Sequence, residues 1–494
     1  MTSSTSHSYP STQPEAERKP WERTADRVLF APVAQASFAA LQWMLFALFF
    51  GWIASIQLIS PDFLAEFAFS SFGRMQPLFI NTLIYGFGFN LAYAAIFWLM
   101  VRLAGAPIAV PASIRIAHAF WNAALLLGLV QILVGDSQPA YLLELPRTVT
   151  PLMLLSHAFI ACWAVIGFRQ SLQRSATIGQ ILLIAAPFWF GWLFMAAQFM
   201  VSWVPAAPAV QSIVSGWYVS GLAHLWFIPL ALGAAYYLVP HLSKKPIKNS
   251  HMTSWAFWLY ALLAPWACGS YLLGGPYPAW VQTITAVASS LVLFPAFLMM
   301  LQIVSASGGS GELDARDRLV LRYVWFGMLL LFFYFIAQAV FMAQPVQKTL
   351  QFTYFNRGLE WLGLIGAPSL ILLGLLQYML PRVSQVFLNQ PFFSKVHFYM
   401  TALGVSMAVV GLMLAGYTQG NALGNPETTF SEANVSVTSW LKLYSFAFIP
   451  LLIGHLALCL YACKLAGVVI KRALESNNKS SPDSSLNSVI PEQA

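Results

Sequence analysis

Two long apolar segments between Trp217 and Gln282 decide the fold of this protein. Residues 217–241 read WYVSGLAHLWFIPLALGAAYYLVPH, and residues 254–282 read SWAFWLYALLAPWACGSYLLGGPYPAWVQ. Each is long enough to supply the roughly 18 apolar residues that mark a membrane-crossing helix. The loop between them is short and carries Lys244, Lys245 and Lys248. The stretch therefore predicts a pair of transmembrane helices joined by a basic loop.

The composition of the whole chain agrees with a membrane protein. Hydrophobic residues make up 59% of the 494 residues and charged residues only 9%, whereas soluble domains carry about 25% charged residues. The net charge of +8 resides mainly in short loops between apolar runs, which is typical of membrane topology rather than of nucleic-acid binding. The lipid bilayer is the expected partner, and no nucleic acid is expected.

Apolar runs recur along the chain and predict an all-α, polytopic membrane protein with twelve spans. A β-barrel is excluded, because barrel strands alternate polar and apolar residues, and these runs are continuous. The predicted spans are 33–58, 76–101, 114–134, 149–168, 178–203, 213–239, 253–273, 280–305, 319–343, 358–380, 396–418 and 440–470.

The basic residues predict the orientation of these spans. With the N-terminus in the cytoplasm, twenty of the 25 Lys and Arg residues fall on the cytoplasmic side, as the positive-inside rule requires. The outer side keeps Arg74, Arg147, Lys348, Arg357 and Lys442. We therefore expect both termini in the cytoplasm, polar disordered tails at 1–30 and 473–494, and one membrane domain at 31–472.

Several short motifs resemble subunit I of the cytochrome cbb3-type heme–copper oxidases. The sixth and seventh spans keep that family's frame, and the second span, FGRMQPLFINTLIYGFGFN (residues 72–90), and the tenth, which begins QFTYFNRGLEWLG (351–363), also resemble it. The matching frame residues are Trp217, Tyr218, Tyr236, Tyr237, Val239, Pro240, Trp266, Ala267, Pro278, Trp280, Gln282, Thr283, Pro77, Leu78, Phe87, Gly88, Asn90, Thr353 and Gly358. The resemblance implies a twelve-helix bundle of heme–copper oxidase subunit I type in a bacterial cytoplasmic (inner) membrane.

The same resemblance implies that all six histidine ligands of the family are replaced. The copper-ligand positions fall on Ser220, Ser270 and Tyr271, and the heme-ligand positions fall on Phe79, Leu359 and Trp361. Heme iron needs an axial ligand such as imidazole, and copper needs several donors converging on one point. The sequence therefore predicts no catalytic residue, no metal ligand and no cofactor, where the family would bind heme b and copper.

The remaining intramembrane polar residues are candidates with weaker support. His224 lies one helical turn from Ser220 and is expected to be a hydrogen-bonded packing residue, as is His455 in its stripe with Cys459 and Cys463. Arg357 and Glu360 are spaced to pair on one helix face, either as a simple ion pair or as part of a proton relay. Asp136, Glu144 and Arg147 are expected to be solvated in an outer loop.

Three functions stay open at this point. The first is a non-catalytic structural or accessory subunit of a respiratory complex, partnered by cytochrome c-type or other respiratory membrane subunits. The second is an active terminal oxidase or nitric oxide reductase catalytic subunit, which the family suggests and the replaced ligands oppose. The third is a proton or small-solute transporter, motivated only by His224, Arg357 and Glu360.

Overall fold

A computed structural model of the protein describes residues 20–64, 66–106, 108–171, 176–247, 250–275, 278–308, 313–388 and 391–479. The predicted tail segments 1–19 and 480–494 lie outside the described residues. The described part folds as a bundle of twelve long helices with short connections. They are α1 Pro20–Gln57, α2 Phe72–Ala104, α3 Ala112–Val134, α4 Thr150–Arg169, α5 Ile178–Trp203, α6 Pro208–Leu242, α7 Ser250–Ala267, α8 Ala279–Ser305, α9 Ala315–Phe341, α10 Tyr354–Val383, α11 Pro391–Leu423 and α12 Thr438–Glu475.

Eleven of the described helices are long and apolar enough to cross a membrane. The exception is α7, which forms only 18 α-helical residues before continuing as a 3₁₀ turn, Cys268–Leu272. The predicted seventh span reached residue 273, but Pro265 stands in the last α-helical turn, and the N-terminal turn carries Ser250 and His251. These residues shorten the α7 helix and lower its mean hydropathy. The predicted twelve helices are therefore present among the described residues, but α7 is less apolar than expected.

The first helix begins at Pro20, about ten residues before the predicted start of the membrane domain. Asp26 is completely buried in this segment, with an oxygen 2.6 Å from the Arg102 guanidinium and another receiving the Trp98 indole N–H at 3.2 Å. A buried carboxylate is stable only when it is paired and hydrogen-bonded. This pair therefore ties the start of α1 to α2.

Three helices form the centre of the bundle. In the most apolar stretch of α2 all residues are buried, and the buried share is 94% in α6 and 89% in α10. In the other helices that are long and apolar enough to cross a membrane, the same share is only 39–50%. Each central helix contains a π-helical segment, which comprises Thr82–Gly88, Leu222–Phe227 and Trp361–Gly366 respectively. π-Helical segments are rare in proteins, and those that do occur are often found at functional sites.

Side chains from neighbouring helices bind the carbonyl groups of these π segments. The Trp121 indole donates to the Tyr85 carbonyl oxygen at 3.0 Å, and the Tyr260 hydroxyl donates to the His224 carbonyl oxygen at 2.7 Å. A membrane interior offers no water to a backbone group released from its helical partner. The irregular turns of α2 and α6 are therefore supported by specific bonds from neighbouring helices.

Candidate functional site

Two of the three heme-ligand positions, Phe79 on α2 and Trp361 on α10, carry aromatic rings in contact. The rings of Phe79 and Trp361 lie with centroids 6.1 Å apart and planes inclined by 29°. Phe448 and Tyr444 of α12 complete an aromatic cluster, with Phe448 5.7 Å from Phe79 and Tyr444 5.8 Å from Trp361. Gly51 of α1 permits this packing, because a Cβ there would lie 2.5 Å from ring atoms of both Phe79 and Phe448. The four rings therefore pack against one another and against α1.

Two copper-ligand positions, Ser220 and Ser270, lie in a different arrangement together with His224 and Gln338. We call these four residues the polar cluster. The hydroxyl oxygens of Ser220 and Ser270 lie 3.5 Å apart, and the Gln338 amide lies 3.4 Å from the Ser270 hydroxyl. His224 Nδ1 donates to the Ser220 carbonyl oxygen at 3.0 Å. The amide oxygen of Gln338 lies 3.1 Å from His224 Nε2. Both imidazole nitrogens therefore lie within hydrogen-bond distance of protein oxygen atoms.

A small cavity of about 40 Å³ lies against the polar cluster. Its lining includes Ser220, Ser270, Gln338 and Leu359, so three of the six ligand positions face the same space. The backbone of Tyr271 lies in the adjoining 3₁₀ turn, and its side chain lies outside the described part of the structure. A volume of this size holds a few water molecules, since one water requires about 10–15 Å³ measured this way.

A larger cavity of about 260 Å³ lies between α2 and α10, beside the aromatic cluster. Arg357 and Glu360 pair at its edge with a separation of 3.0 Å, which agrees with their predicted spacing on one helix face. The Tyr141 hydroxyl donates to the same Glu360 oxygen at 2.9 Å. The Arg357 guanidinium lies 3.7 Å from the centre of the Tyr141 ring. The pair is thus held by the loop between α3 and α4, which the sequence did not indicate.

Glu144 corrects another prediction, because it is not solvated. Its side chain is buried in the outer loop, and the Asn81 amide donates to its carboxylate at 2.9 Å. Burial raises the pKa of Glu144 to about 7, although the bond from Asn81 and the charge of Arg357 act in the opposite direction. The outer loop therefore folds back onto α2 near the aromatic cluster instead of extending into solvent.

His455 lies apart from these clusters. Its Nε2 is 2.8 Å from the Leu41 carbonyl oxygen of α1, and its ring packs 6.3 Å from that of His397, which in turn hydrogen-bonds the Tyr323 hydroxyl. Cys459 is half-buried and Cys463 is exposed. The predicted stripe is therefore divided between packing and the outer surface of the bundle, and its three members do not converge.

Three important residues escaped the sequence analysis: Asn81, Tyr141 and Gln338. Two of them had a signal, since Asn81 and Gln338 are amides inside apolar runs, where polar side chains usually find partners on neighbouring helices. Tyr141 had none, because its role depends on how the outer loop folds over α10.

The arrangement of the helices is shared with a solved membrane protein. The chain matches the cryo-EM structure of a heme-copper terminal oxidase dimer with a TM-score of 0.72 and 13% sequence identity, over 89% of this chain and 84% of that chain. At this identity the similarity establishes the fold alone. The protein is therefore a polytopic membrane protein with the helical fold of heme–copper oxidase subunit I.

Sequence comparison identifies the family. Residues 31–451 match the family described as Cytochrome C and Quinol oxidase polypeptide I, and the chain belongs to it. The Cbb3-type cytochrome c oxidase subunit CcoN1 of Stutzerimonas stutzeri is 22% identical over 80% of this chain and 85% of that protein. The bacteroid cytochrome c oxidase subunit 1 homolog of Bradyrhizobium diazoefficiens is 24% identical over 81% of this chain and 76% of that protein. The resemblance to cbb3-type subunit I is thereby confirmed.

These matches contradict the prediction that the chain has no cofactor. The matching family and relatives are named as oxidases, and the solved structure is named for heme and copper. The prediction rested on the six ligand positions alone, and family membership stands against it.

The residues at those six positions nevertheless do not fit the family's cofactors. The described side chains there are two aromatic rings in contact, two serine hydroxyls and a leucine, and none offers an imidazole. In the described ranges, no group of three or more His, Cys, Asp or Glu residues could together hold a metal ion. Heme or copper bound by this chain would therefore take its ligands from other positions.

Proposed function

We propose that this protein is a non-catalytic subunit of a respiratory complex in the cytoplasmic membrane of a bacterium. Family membership supports the respiratory setting. The observation that supports the non-catalytic role is the kind of side chain found at the family's ligand positions. Phe79 and Trp361 are aromatic rings in contact, and Ser220 and Ser270 are a pair of hydroxyls. Reduction of oxygen by this family requires metal centres, and these side chains are poor ligands for iron or copper.

The orientation and the partners belong to the same proposal. The distribution of Lys and Arg favours cytoplasmic termini. Relatives named as oxidase subunits favour an assembly with cytochrome c-type or other respiratory membrane subunits. The protein would then contribute its bundle surface to the complex and leave electron transfer to oxygen to another subunit.

Oxygen uptake by the purified full chain tests the non-catalytic role. The chain in detergent is supplied in turn with reduced cytochrome c and with a quinol, beside a cbb3-type oxidase as the positive control. We expect no cyanide-sensitive uptake above the buffer rate. Cyanide-sensitive turnover by the isolated chain would overturn the proposal, and a hemochrome and metal assay on the same sample would measure cofactor content separately.

Isolation from native membranes tests the accessory role. The affinity-tagged chain is extracted in mild detergent and separated by native electrophoresis, with a tagged unrelated polytopic protein as the control. Recovery in a high-mass assembly with other respiratory subunits is the expected result. Recovery only as a free chain, with no change in respiration after deletion, would contradict an accessory role.

A catalytic oxidase or nitric oxide reductase subunit is the second candidate, because the relatives carry oxidase names. It requires redox metals at ligands other than the six positions. The oxygen-uptake assay, repeated with nitric oxide as the acceptor, decides between the two. A transporter is a third candidate, and proton flux in liposomes that is lost on replacing Arg357 and Glu360 would favour it.

A further inference from the structure

The cavity of about 260 Å³ beside the aromatic cluster runs from the surface into the core. Phe72 at one end is 40% exposed, and the Arg357 side chain is 37% exposed. Leu83 and Ile84, which also line the cavity, are almost completely buried. A molecule can therefore reach the centre of the bundle from the end at which α2 and α10 begin.

Most of the lining is apolar, and the polar groups are concentrated at one place. Besides Phe79 and Trp361, the wall includes Leu83, Ile84 and Leu364, whereas Tyr141, Arg357 and Glu360 form a polar corner. A ligand suited to this wall has an apolar body, because small-molecule sites combine apolar walls with a few placed polar groups. The volume lies slightly below the range of about 300–1,000 Å³ typical of drug-sized ligands, which favours a single ring or a short chain.

The polar corner contains an acceptor with unused capacity. Arg357 and Tyr141 both bond to Oε2 of Glu360, at 3.0 and 2.9 Å. Oε1 of the same carboxylate is buried and has no hydrogen-bond partner within the described structure. A buried charged oxygen without a donor is costly, so a group that donates a hydrogen bond here would be stabilised.

The charge balance of the corner defines the ligand's head group. Glu360 is already paired with Arg357, so the corner needs a donor but no additional charge. A carboxylate or phosphate head would bring negative charge next to Glu360 and offer no donor to Oε1. A hydroxyl group satisfies both conditions.

We propose that this cavity binds an uncharged amphiphile from the membrane, whose apolar ring or chain lies along α2 and α10 and whose hydroxyl group donates to Glu360. Glu360 also lines the smaller cavity, but that cavity is not the site, because about 40 Å³ admits only a few waters. This binding site does not depend on whether the protein is catalytic. It assigns a role to a buried carboxylate that the oxidase frame leaves unexplained.

Two matched probes test the proposal on the purified full chain in detergent. 4-Hexylphenol carries the hydroxyl donor, and 4-hexylanisole has nearly the same body with the donor removed by methylation. A hydrogen bond to a charged group contributes enough binding free energy that we expect the phenol to bind on the order of tenfold more tightly than the anisole. Equal affinity of the two probes would overturn the assignment of Glu360 as the acceptor.

Variants locate the binding within the molecule. Leu83→Trp fills the inner part of the cavity and is expected to weaken both probes on the order of tenfold. Glu360→Gln keeps the size of the side chain and is expected to remove most of the preference for the phenol. Phe188→Trp, at a position 72% exposed on α5, is the control and should change neither affinity.

Each variant is checked for folding by size-exclusion chromatography and circular dichroism before titration. If Leu83→Trp does not fold, the Glu360→Gln variant still decides the question through the ratio of the two affinities. Unchanged binding of both probes to a folded Leu83→Trp variant would place the site elsewhere and refute the proposal.

Discussion

The aromatic cluster and the polar cluster lie at related places in the bundle but hold their helices together in different ways. In the first, the rings of Phe79, Trp361 and Phe448 pack against one another beside the larger cavity. In the second, Ser220, Ser270, Gln338 and His224 form a chain of hydrogen bonds next to a small cavity. The resemblance placed a family ligand position in both.

The difference teaches that replacing one type of residue has two structural outcomes. Large aromatic rings at the α2 and α10 positions pack against α12 and line the larger cavity. The small hydroxyls on α6 and in the 3₁₀ turn after α7 line the smaller cavity, and polar neighbours bond to them. The aromatic cluster should therefore depend on shape, and the polar cluster on hydrogen bonding.

The largest expected effect is in the aromatic cluster. Trp361→Ala removes a buried side chain that contacts Phe79, Tyr444 and Phe448. Truncation of a buried Trp costs about 3–5 kcal/mol, here through lost packing contacts rather than exposure to water. The free energy of unfolding, measured by denaturant titration in mixed micelles, should fall by this amount.

Trp192→Ala is the matched control, because Trp192 is 62% exposed on the outer face of α5. Substitutions at such positions usually change stability by about 0.5 kcal/mol or less. Equal losses at Trp361 and Trp192 would show that the aromatic cluster is not a packed core.

The next largest expected effect is a pH dependence of stability that arises from Glu144, which bonds to Asn81 near the aromatic cluster. Burial raises the pKa of Glu144 from its ordinary 4.5 to about 7, so the folded protein binds this proton more tightly than the unfolded chain does. The stabilising contribution is fully present below about pH 4.5 and is lost as pH rises through about 7. The difference corresponds to about 3 kcal/mol.

Unfolding measured between pH 4.5 and pH 8.5 checks this prediction. Glu144→Gln should remove this component of the pH dependence, because the amide does not titrate. Asp136→Asn in the same loop is the control, since Asp136 is exposed. A Glu144→Gln profile that is identical to the parent profile would contradict a buried, titrating Glu144.

The smallest expected effect is in the polar cluster. Gln338→Leu removes the group that bonds to both His224 and Ser270 and leaves their buried polar atoms without that partner. The expected loss is about 1–3 kcal/mol in the free energy of unfolding. Gln131→Leu, at a half-buried position that bonds Thr148, should cost less, and a neutral Gln338→Leu would mean that water replaces the amide.

The candidate site was only partly predictable. The resemblance placed Phe79 and Trp361 at heme-ligand positions and Ser220 and Ser270 at copper-ligand positions. The structure places the members of each of these pairs side by side. The spacing of Arg357 and Glu360 likewise predicted their ion pair. The burial of Glu144 was not predictable, because a loop of mixed polarity gives no periodic signal for the helix it will cover.

The sequence by itself determined the membrane-embedded helical bundle and its helix order. It could do so because hydrocarbon forces every backbone polar group into a helix and because long apolar runs are unambiguous. Only the tertiary structure decided what occupies the spaces between the helices. Whether such a space holds aromatic rings, holds hydrogen-bonded hydroxyls or stays open as a cavity depends on side-chain contacts between distant segments such as α2, α10 and α12. Linear spacing within one helix carries no information about those contacts.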